Sequence, residues 1–97
     1  MKFLVKEKEL PGKTKEDFEP FLKLEAQKVW EYYNLGFIRE IYFTKESHEA
    51  VLIIECDTKQ RVKEKLNGLP LVKEGLIEFD IEELVPYNGF ERLFSQK

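Results

Sequence analysis

Residues that build metal centres and disulfides are scarce in this sequence. Its 97 residues include one cysteine, Cys56, and one histidine, His48. One cysteine excludes a disulfide within the chain, and the two residues together are too few for the usual zinc or iron–sulfur ligand sets. The five glycines are scattered among turns. The sequence therefore gives no sign of a metal centre or of a glycine-rich phosphate-binding loop.

Long apolar runs and an excess of positive charge are also missing. Near the N-terminus the run Phe3-Leu4-Val5 is interrupted by Lys6, which leaves it far too short for a signal-peptide core or a membrane span. The 16 Lys and Arg are balanced by 19 Asp and Glu, for a net charge of −3. Nucleic-acid binders usually show a basic excess on one face. We expect a cytoplasmic protein that binds neither nucleic acid nor membrane.

The remaining composition is that of an ordinary folded domain with a strongly charged exterior, because 42% of the residues are hydrophobic and 36% are charged. A chain of this length fits one domain, spanning residues 1–97, and buries roughly 65% of its unfolded surface. No internal repeat or linker divides the sequence.

Hydrophobic periodicity and turn residues predict four strands and two helices. The strands are expected at 2–9, 37–43, 49–56 and 76–84, and the helices at 15–34 and 59–67. The order strand, helix, strand, strand, helix, strand is that of the ferredoxin-like βαββαβ fold. We therefore predict an α+β protein with a four-stranded antiparallel sheet, its first and third strands central, and both helices on one face.

Local signals mark where the two helices begin. Thr14 and Asp17 stand at capping-box spacing, and Asp57 or Thr58 can cap the second helix. Pro20 is awkward inside the first helix, because proline removes a backbone hydrogen bond and clashes one turn back. We expect a kink in the first turn, or a helix that begins properly only near Pro20.

The third strand indicates that both faces of the sheet are covered. Residues 50–54 (Ala-Val-Leu-Ile-Ile) are apolar on both sides, whereas a strand with one face in water alternates. Two helices cover only one face, so we expect a second copy of the chain on the other, in a homodimer or larger homo-oligomer. The alternative is a sheet covered by its own C-terminal tail, through Phe90, Leu93 and Phe94.

Glu25 breaks the apolar pattern of the first helix. On a helical wheel it falls between Leu22 and Val29, in the middle of the apolar stripe. Glutamate is almost never fully buried without a partner. One interpretation is a structural ion pair with a nearby cation, or a side chain that reaches past the stripe to water; the candidate cations are Lys6, Arg39 and Lys28. The other interpretation is a general base or acid facing a cavity, where burial raises its pKa.

Several polar side chains are candidates for the same site. Strand alternation places Lys6, Glu78 and Asp80 on the sheet face away from the helices, and the hairpin adds Arg39, Tyr42 and Glu55. Inside a sheet-to-sheet dimer these groups would line a polar pocket. At the rim they would form exposed salt bridges, each worth only ~0–1 kcal/mol.

The chain resembles the muconolactone isomerase family. The resemblance lies in residues 66–71 (Leu-Asn-Gly-Leu-Pro-Leu), followed by the alternating strand 77–81 (Ile-Glu-Phe-Asp-Ile), and extends more faintly over almost the whole chain. Glu25, eleven residues before Gly36, matches a glutamate of the family's first helix.

The resemblance implies subunits that pair sheet to sheet within larger rings, and proton-shuttling isomerisation of a small unsaturated lactone with no metal or organic cofactor. Three features depart from the family's pattern. Leu4 stands where a histidine is usual, Phe37, Ile38 and Arg39 replace a tryptophan and histidine, and the C-terminal tail differs.

We therefore expect a cofactor-free enzyme acting on a small enolisable molecule. Glu25 would take and return the proton, while Arg39 or Lys6, with Tyr42, would bind the substrate and steady its enolate. The alternatives are a non-catalytic module that binds a small apolar ligand, or a structural assembly protein in which Glu25 is held in an ion pair. A cofactor-free monooxygenase, supported only by Trp30 and Tyr42, is a further enzyme interpretation.

Overall fold

The computed structural model describes residues 1–95 and has the predicted ferredoxin-like order of elements. The strands are β1 (Lys2–Glu9), β2 (Ile38–Phe43), β3 (Ala50–Glu55) and β4 (Ile77–Leu84), and the helices are α1 (Lys15–Phe18), α2 (Leu22–Asn34), α3 (Lys59–Leu66) and α4 (Pro70–Lys73). Short 3₁₀ turns occupy Glu19–Phe21 and Gly89–Leu93. The predicted strand bounds hold to within one residue at each end. The four-residue helix α4 is not among the predicted elements.

The four strands form one antiparallel sheet in the order β2-β3-β1-β4, so the first and third strands are central as predicted. Residues 2–6 of β1 each lie between a residue of β3 and a residue of β4, whereas residues 7–9 pair with β4 alone; Lys6, for example, is opposite Val51 and Asp80. The β2–β3 register shifts between Ile38 and Glu40, which marks a bulge at Arg39.

The core lies between the sheet and the helices. Phe3 and Val5 of β1 and Ile54 of β3 are fully buried, and Val62 of α3 packs with them. Successive strand residues point to opposite faces, so these side chains define an inner face that the helices cover. The outer face carries the alternate residues, among them Leu4, Lys6, Val51, Ile53 and Asp80.

The first helical segment is broken at the predicted proline. α1 ends at Phe18, Pro20 lies in a 3₁₀ turn, and α2 begins at Leu22. The break follows from the missing N–H of proline, as the sequence predicts.

The predicted capping pair is present at the start of α1. The carboxylate of Asp17 accepts hydrogen bonds from the backbone N–H of Thr14 at 2.8 Å and from its hydroxyl at 3.2 Å.

The second helix begins at the predicted cap. The Thr58 hydroxyl accepts a hydrogen bond from the backbone N–H of Arg61 at 3.1 Å. A hydroxyl at this position satisfies one of the N–H groups that a helix leaves unpaired in its first turn. α3 then presents Val62 and Leu66 to the core, where both are buried.

The C-terminal tail does not lie on the sheet. Val85, Tyr87, Leu93 and Phe94 are each more than 70% exposed. The alternative in which the tail covers the outer face is therefore wrong for this chain as a single copy. Within the described residues, no helix is long and apolar enough to cross a membrane.

Candidate functional site

A cavity of about 1090 Å³ opens between α2 and the inner face of the sheet. The apolar stripe of α2 forms one wall, with Leu22, Val29 and Tyr33, and β2 contributes Ile41 and Phe43 from the opposite side. Leu22 and Tyr33 remain about half exposed because this part of the helix stands away from the sheet. Only Tyr32 of α2 is buried in the core. The predicted stripe therefore lines an open cavity along most of its length.

Glu25 lies in this cavity wall, as the helical wheel indicates. Its side chain is half-buried, and Oε1 accepts a hydrogen bond from the backbone N–H of Leu71 at 3.0 Å. Burial raises the pKa of the Glu25 carboxyl; the Leu71 hydrogen bond opposes this, and the nearby charge of Glu7 adds to it. A carboxylate whose pKa is raised is a stronger base than an ordinary exposed glutamate, which suits a group that takes up protons.

No cation of residues 1–95 forms a salt bridge with Glu25. Lys28 is 3.5 Å from Glu31, and Lys6 is 3.7 Å from Glu49. The Arg39 Nε donates instead to the Gly36 carbonyl at 2.6 Å. The ion-pair interpretation of Glu25 is wrong in this structure, because its observed partner is an uncharged backbone amide.

The other predicted site residues divide between the two sides of the sheet. Arg39 lines the cavity together with Glu25, whereas the register pairs Tyr42 with Val51, so the Tyr42 side chain points to the outer face although its strand borders the cavity. The Tyr42 hydroxyl donates to Glu40 Oε1 at 2.7 Å, and this hydrogen bond is the main cause that raises the pKa of Tyr42. Lys6 is not part of the cavity wall, because the register places it on the outer face opposite Asp80.

Glu7 is a cavity residue that the sequence interpretation missed. It follows Phe3 and Val5 on the inner face, and its carboxylate Oε1 accepts a hydrogen bond from the backbone N–H of Ala50. Burial raises the pKa of Glu7; the Ala50 hydrogen bond opposes this, Glu9 and Glu49 raise it further, and His48 lowers it. The alternation of β1 could have predicted this position, because it places Glu7 on the same face of the sheet as the core residues Phe3 and Val5.

His48 also belongs to the cavity wall, a position that no motif in the sequence indicates. Its backbone φ of 54° places it in the left-handed region, and its N–H donates to the Thr44 carbonyl at 3.0 Å. The imidazole stacks on Phe43, with ring centroids 4.1 Å apart and an interplanar angle of 14°. The tight hairpin turn thus places an imidazole beside the Glu7 end of the cavity.

The arrangement is suited to moving protons on a small molecule. Two half-buried carboxylates, Glu7 on the sheet and Glu25 on the helix, face a largely apolar space, and each is bound by a backbone N–H. In the described part of the chain, no group of three or more His, Cys, Asp or Glu side chains is placed to hold a metal ion.

The strand order and the helix layer define a fold class, the ferredoxin-like α+β domain, here with a cavity between the helix layer and the sheet. Muconolactone isomerase has this fold, with a TM-score of 0.76 and 15% identity over 92% of this chain and 93% of that one. The 5-chloro-2-hydroxyhydroquinone dehydrochlorinase of Burkholderia phenoliruptrix AC1100, solved with 2,5-dihydroxybenzoquinone, matches with a TM-score of 0.63 and 21% identity over 88% of this chain and 94% of its own. No protein-family model matches the sequence, and neither does any curated protein.

Proposed function

We propose that this protein is a muconolactone-isomerase-like, cofactor-free isomerase that transfers a proton within a small lactone or another enolisable molecule. The observation that supports it is the Glu25 carboxylate, which lies in the wall of a small-molecule-sized cavity with a raised pKa and no cationic partner among residues 1–95. The likeness to muconolactone isomerase supports the same reaction class.

In the proposed reaction, the Glu25 carboxylate takes a proton from a carbon conjugated with the substrate carbonyl, either next to it or, as in an α,β-unsaturated lactone, at the far end of the double bond. The electron pair of the broken C–H bond moves into the carbonyl, which becomes an enolate. Return of a proton at a different carbon shifts the double bond and completes the isomerisation. The Leu71 N–H fixes the position of one carboxylate oxygen without the charge that would make Glu25 a poorer base.

Arg39 is the proposed group that binds the substrate and steadies its enolate. It lies in the cavity wall, and a guanidinium aimed at the developing negative oxygen lowers the barrier. Lys6 and Tyr42 have no part in this proposal, because the register places both opposite Val51, on the other face of the sheet.

We also propose a cytoplasmic homodimer or larger homo-oligomer, and the outer face supports the oligomer. Val51 and Ile53 are half-buried there beside Leu4, and Glu55 Oε2 on the same face is buried with no hydrogen-bond partner among residues 1–95. A second sheet packed on this face would cover the apolar residues and supply a donor to Glu55.

A non-catalytic binding or assembly module is the second candidate. The hydrogen bond from Leu71 to Glu25 connects α4 to α2, and a purely structural role would require nothing more of the carboxylate. Glutamine at position 25 keeps an acceptor for the Leu71 N–H but cannot serve as a base. Glu25→Gln therefore separates the catalytic role from the structural one.

The test is conversion of muconolactone, followed by proton NMR, for the wild type, Glu25→Gln and the control Glu64→Gln on the exposed face of α3. We expect conversion by the wild type and the control, and a loss of about 100-fold or more in Glu25→Gln, the usual contribution of a positioned acid–base group. Binding of the lactone without conversion by the wild type would favour the binding module. Equal turnover by the wild type and Glu25→Gln would exclude Glu25 as the base.

A further inference from the structure

Glu7 occupies a position where an acidic side chain is unusual. It lies on a central strand, on the inner face, directly after the fully buried Phe3 and Val5 and opposite Phe79 of β4. Acidic residues rarely occupy a core face without a partner or a function. At this point along β1 the closed core ends and the cavity begins, so the side chain meets cavity space rather than packed atoms.

The contact that holds Glu7 leaves it without a cationic partner in the described residues. The Glu7 Oε1 accepts a hydrogen bond from the Ala50 N–H. Lys6 and Val51 form the last β1–β3 pair, and Ala50, which precedes Val51 in the chain, lies just beyond that pair on the side of Glu7. The one salt bridge at this end of β1 is made by Lys6 on the other face, with Glu49. Glu7 is thus positioned by an uncharged amide, as Glu25 is by Leu71.

The two carboxylates face one space from opposite walls. Glu7 belongs to the sheet and Glu25 to α2, and the charge of Glu7 is felt at Glu25. Two carboxylates at one site resist losing both protons, so such a pair holds one proton over a wide pH range. The other titratable or charged groups around Glu7 are Glu9 on its own strand, His48 and Glu49 from the hairpin turn, and Lys13, Lys15 and Arg39 along the cavity wall.

We infer that Glu7 is the second proton-carrying group of the cavity, so that Glu25 and Glu7 act as a base and an acid on the same substrate. The inference rests on the proposed function. The Glu25 carboxylate takes a proton from one carbon, and the pair of electrons from that C–H bond shifts along the conjugated system. In the form of the pair that reacts, the shared proton is on Glu7 and Glu25 is ionised, and the Glu7 carboxylic acid gives this proton to a second carbon. Afterwards Glu25 is protonated and Glu7 ionised, and one proton passes through water from Glu25 to Glu7.

The roles of Glu25 as base and Glu7 as acid define a substrate class. The substrate must lose a proton at one carbon and gain one at another, as unsaturated lactones and other unsaturated carbonyl compounds do when their double bond moves. A substrate that exchanges a proton at a single carbon would need Glu25 alone. The apolar side chains between the two walls, among them Phe18 and Val29, suit the hydrocarbon part of such a molecule.

The first test needs no substrate. The Glu7 and Glu25 carboxyl groups are titrated by carbon-13 NMR in the wild type, Glu7→Gln, Glu25→Gln and the control Glu64→Gln. Glutamine retains the acceptor for Ala50 or Leu71, so both variants are expected to fold. We expect removal of either carboxylate to lower the titration midpoint of the other by about half a pH unit or more, with no change in the control. Midpoints that stay the same in both variants would overturn the inference.

The second test follows muconolactone in deuterium oxide. Glu25→Gln is expected to lose both deuterium exchange and conversion, whereas Glu7→Gln is expected to keep exchange and lose conversion by about 100-fold. Conversion at the wild-type rate by Glu7→Gln would overturn the role of Glu7 while leaving Glu25 as the base. If the wild type neither exchanges nor converts the lactone, the proposed function fails, and the NMR titration alone decides whether the carboxylates form a pair.

Discussion

The Glu25 carboxylate on α2 accepts a hydrogen bond from the backbone N–H of Leu71, a residue 46 positions later in the chain, at 3.0 Å. Leu71 follows Pro70 in the first turn of α4, where a helix leaves its N–H groups without partners. The contact therefore satisfies an otherwise unpaired donor and fixes the carboxylate at the cavity wall. A backbone dipole does this without the full charge of an ammonium or guanidinium group.

Folding stability is expected to fall as pH rises above the ordinary range of glutamate. The pKa values of Glu7 and Glu25 are both raised in the folded chain, mainly by burial. The stability that these two carboxyl groups contribute is fully present below the pKa of glutamate in the unfolded chain. It is lost as the pH rises through their raised pKa values in the folded chain. The free energy of unfolding, measured with urea from about pH 4 to about pH 8, should decrease along this range more in the wild type than in the Glu7→Gln/Glu25→Gln double variant.

A matched control for this pH series is Glu31→Gln/Glu64→Gln, which removes the same number of carboxylates from exposed helix positions. Its pH profile should follow the wild type. A double cavity variant whose profile is as steep as that of the wild type would contradict the assignment of the raised pKa values.

Tyr32→Phe is expected to destabilise the fold by about 0.5–1.5 kcal/mol, the net value of a typical hydrogen bond. Tyr32 is buried, and its hydroxyl donates to the Lys65 carbonyl at 2.7 Å, which joins α2 to the end of α3. Urea denaturation measures the loss. Tyr33→Phe, at a half-exposed neighbour, should leave the unfolding free energy unchanged, and equal losses in the two variants would refute this role.

Gly36→Ala is expected to cost about 1–2 kcal/mol, because the residue has a φ of +80° and a Cβ is disfavoured in the left-handed region. The added Cβ itself would meet nothing closer than Arg39 Nε at 3.9 Å, so conformation rather than space sets the cost. Gly36→Asn should cost less than Gly36→Ala, since asparagine tolerates this region better. Thermal unfolding of the two variants measures which is less stable. If Gly36→Ala proved as stable as Gly36→Asn, the explanation would be contradicted.

Replacement of Ile53 by lysine is expected to dissociate the proposed sheet-to-sheet oligomer, because it places a charge in the middle of the outer face. Sedimentation velocity measures the mass. Leu35→Lys, at an exposed position after α2, is the control and should leave the assembly intact. An unchanged oligomer in Ile53→Lys would exclude the outer face as the interface. Loss of the far-ultraviolet circular dichroism signal would call for the milder Val51→Thr.

The strands and the central pair were predictable because alternation and turn residues are local properties. The same alternation placed Lys6 on the outer face, and the structure has it there, opposite in direction to the buried Phe3 and Val5. The interruption at Pro20 was predictable for an equally local reason, the missing N–H. These features depend on single residues and their nearest neighbours in sequence.

The cavity was not predictable, because it depends on how far α2 stands from the sheet. The wheel places Glu25 in the apolar stripe, but whether that stripe meets a core or an open space depends on how α2 packs on the rest of the fold, which the periodicity of one helix does not show. The bulge at Arg39 likewise shifts the β2 register relative to β3, so the sides of Arg39 and Tyr42 could not be assigned from alternation alone. The hydrogen-bond partner of Glu25 could not be predicted, because every residue except proline has a backbone N–H and the sequence does not show which of them lies near Glu25.

The most direct measurement is the rate of solvent deuterium incorporation into muconolactone by the wild type and by Glu25→Gln, in the same buffer and at the same protein concentration. The account predicts incorporation by the wild type well above the rate without protein, and a rate at least about 100-fold lower in Glu25→Gln, whose fold is retained. Equal incorporation by the two proteins, or none by the wild type, would contradict the central claim that the Glu25 carboxylate is the proton-transfer group of this cavity.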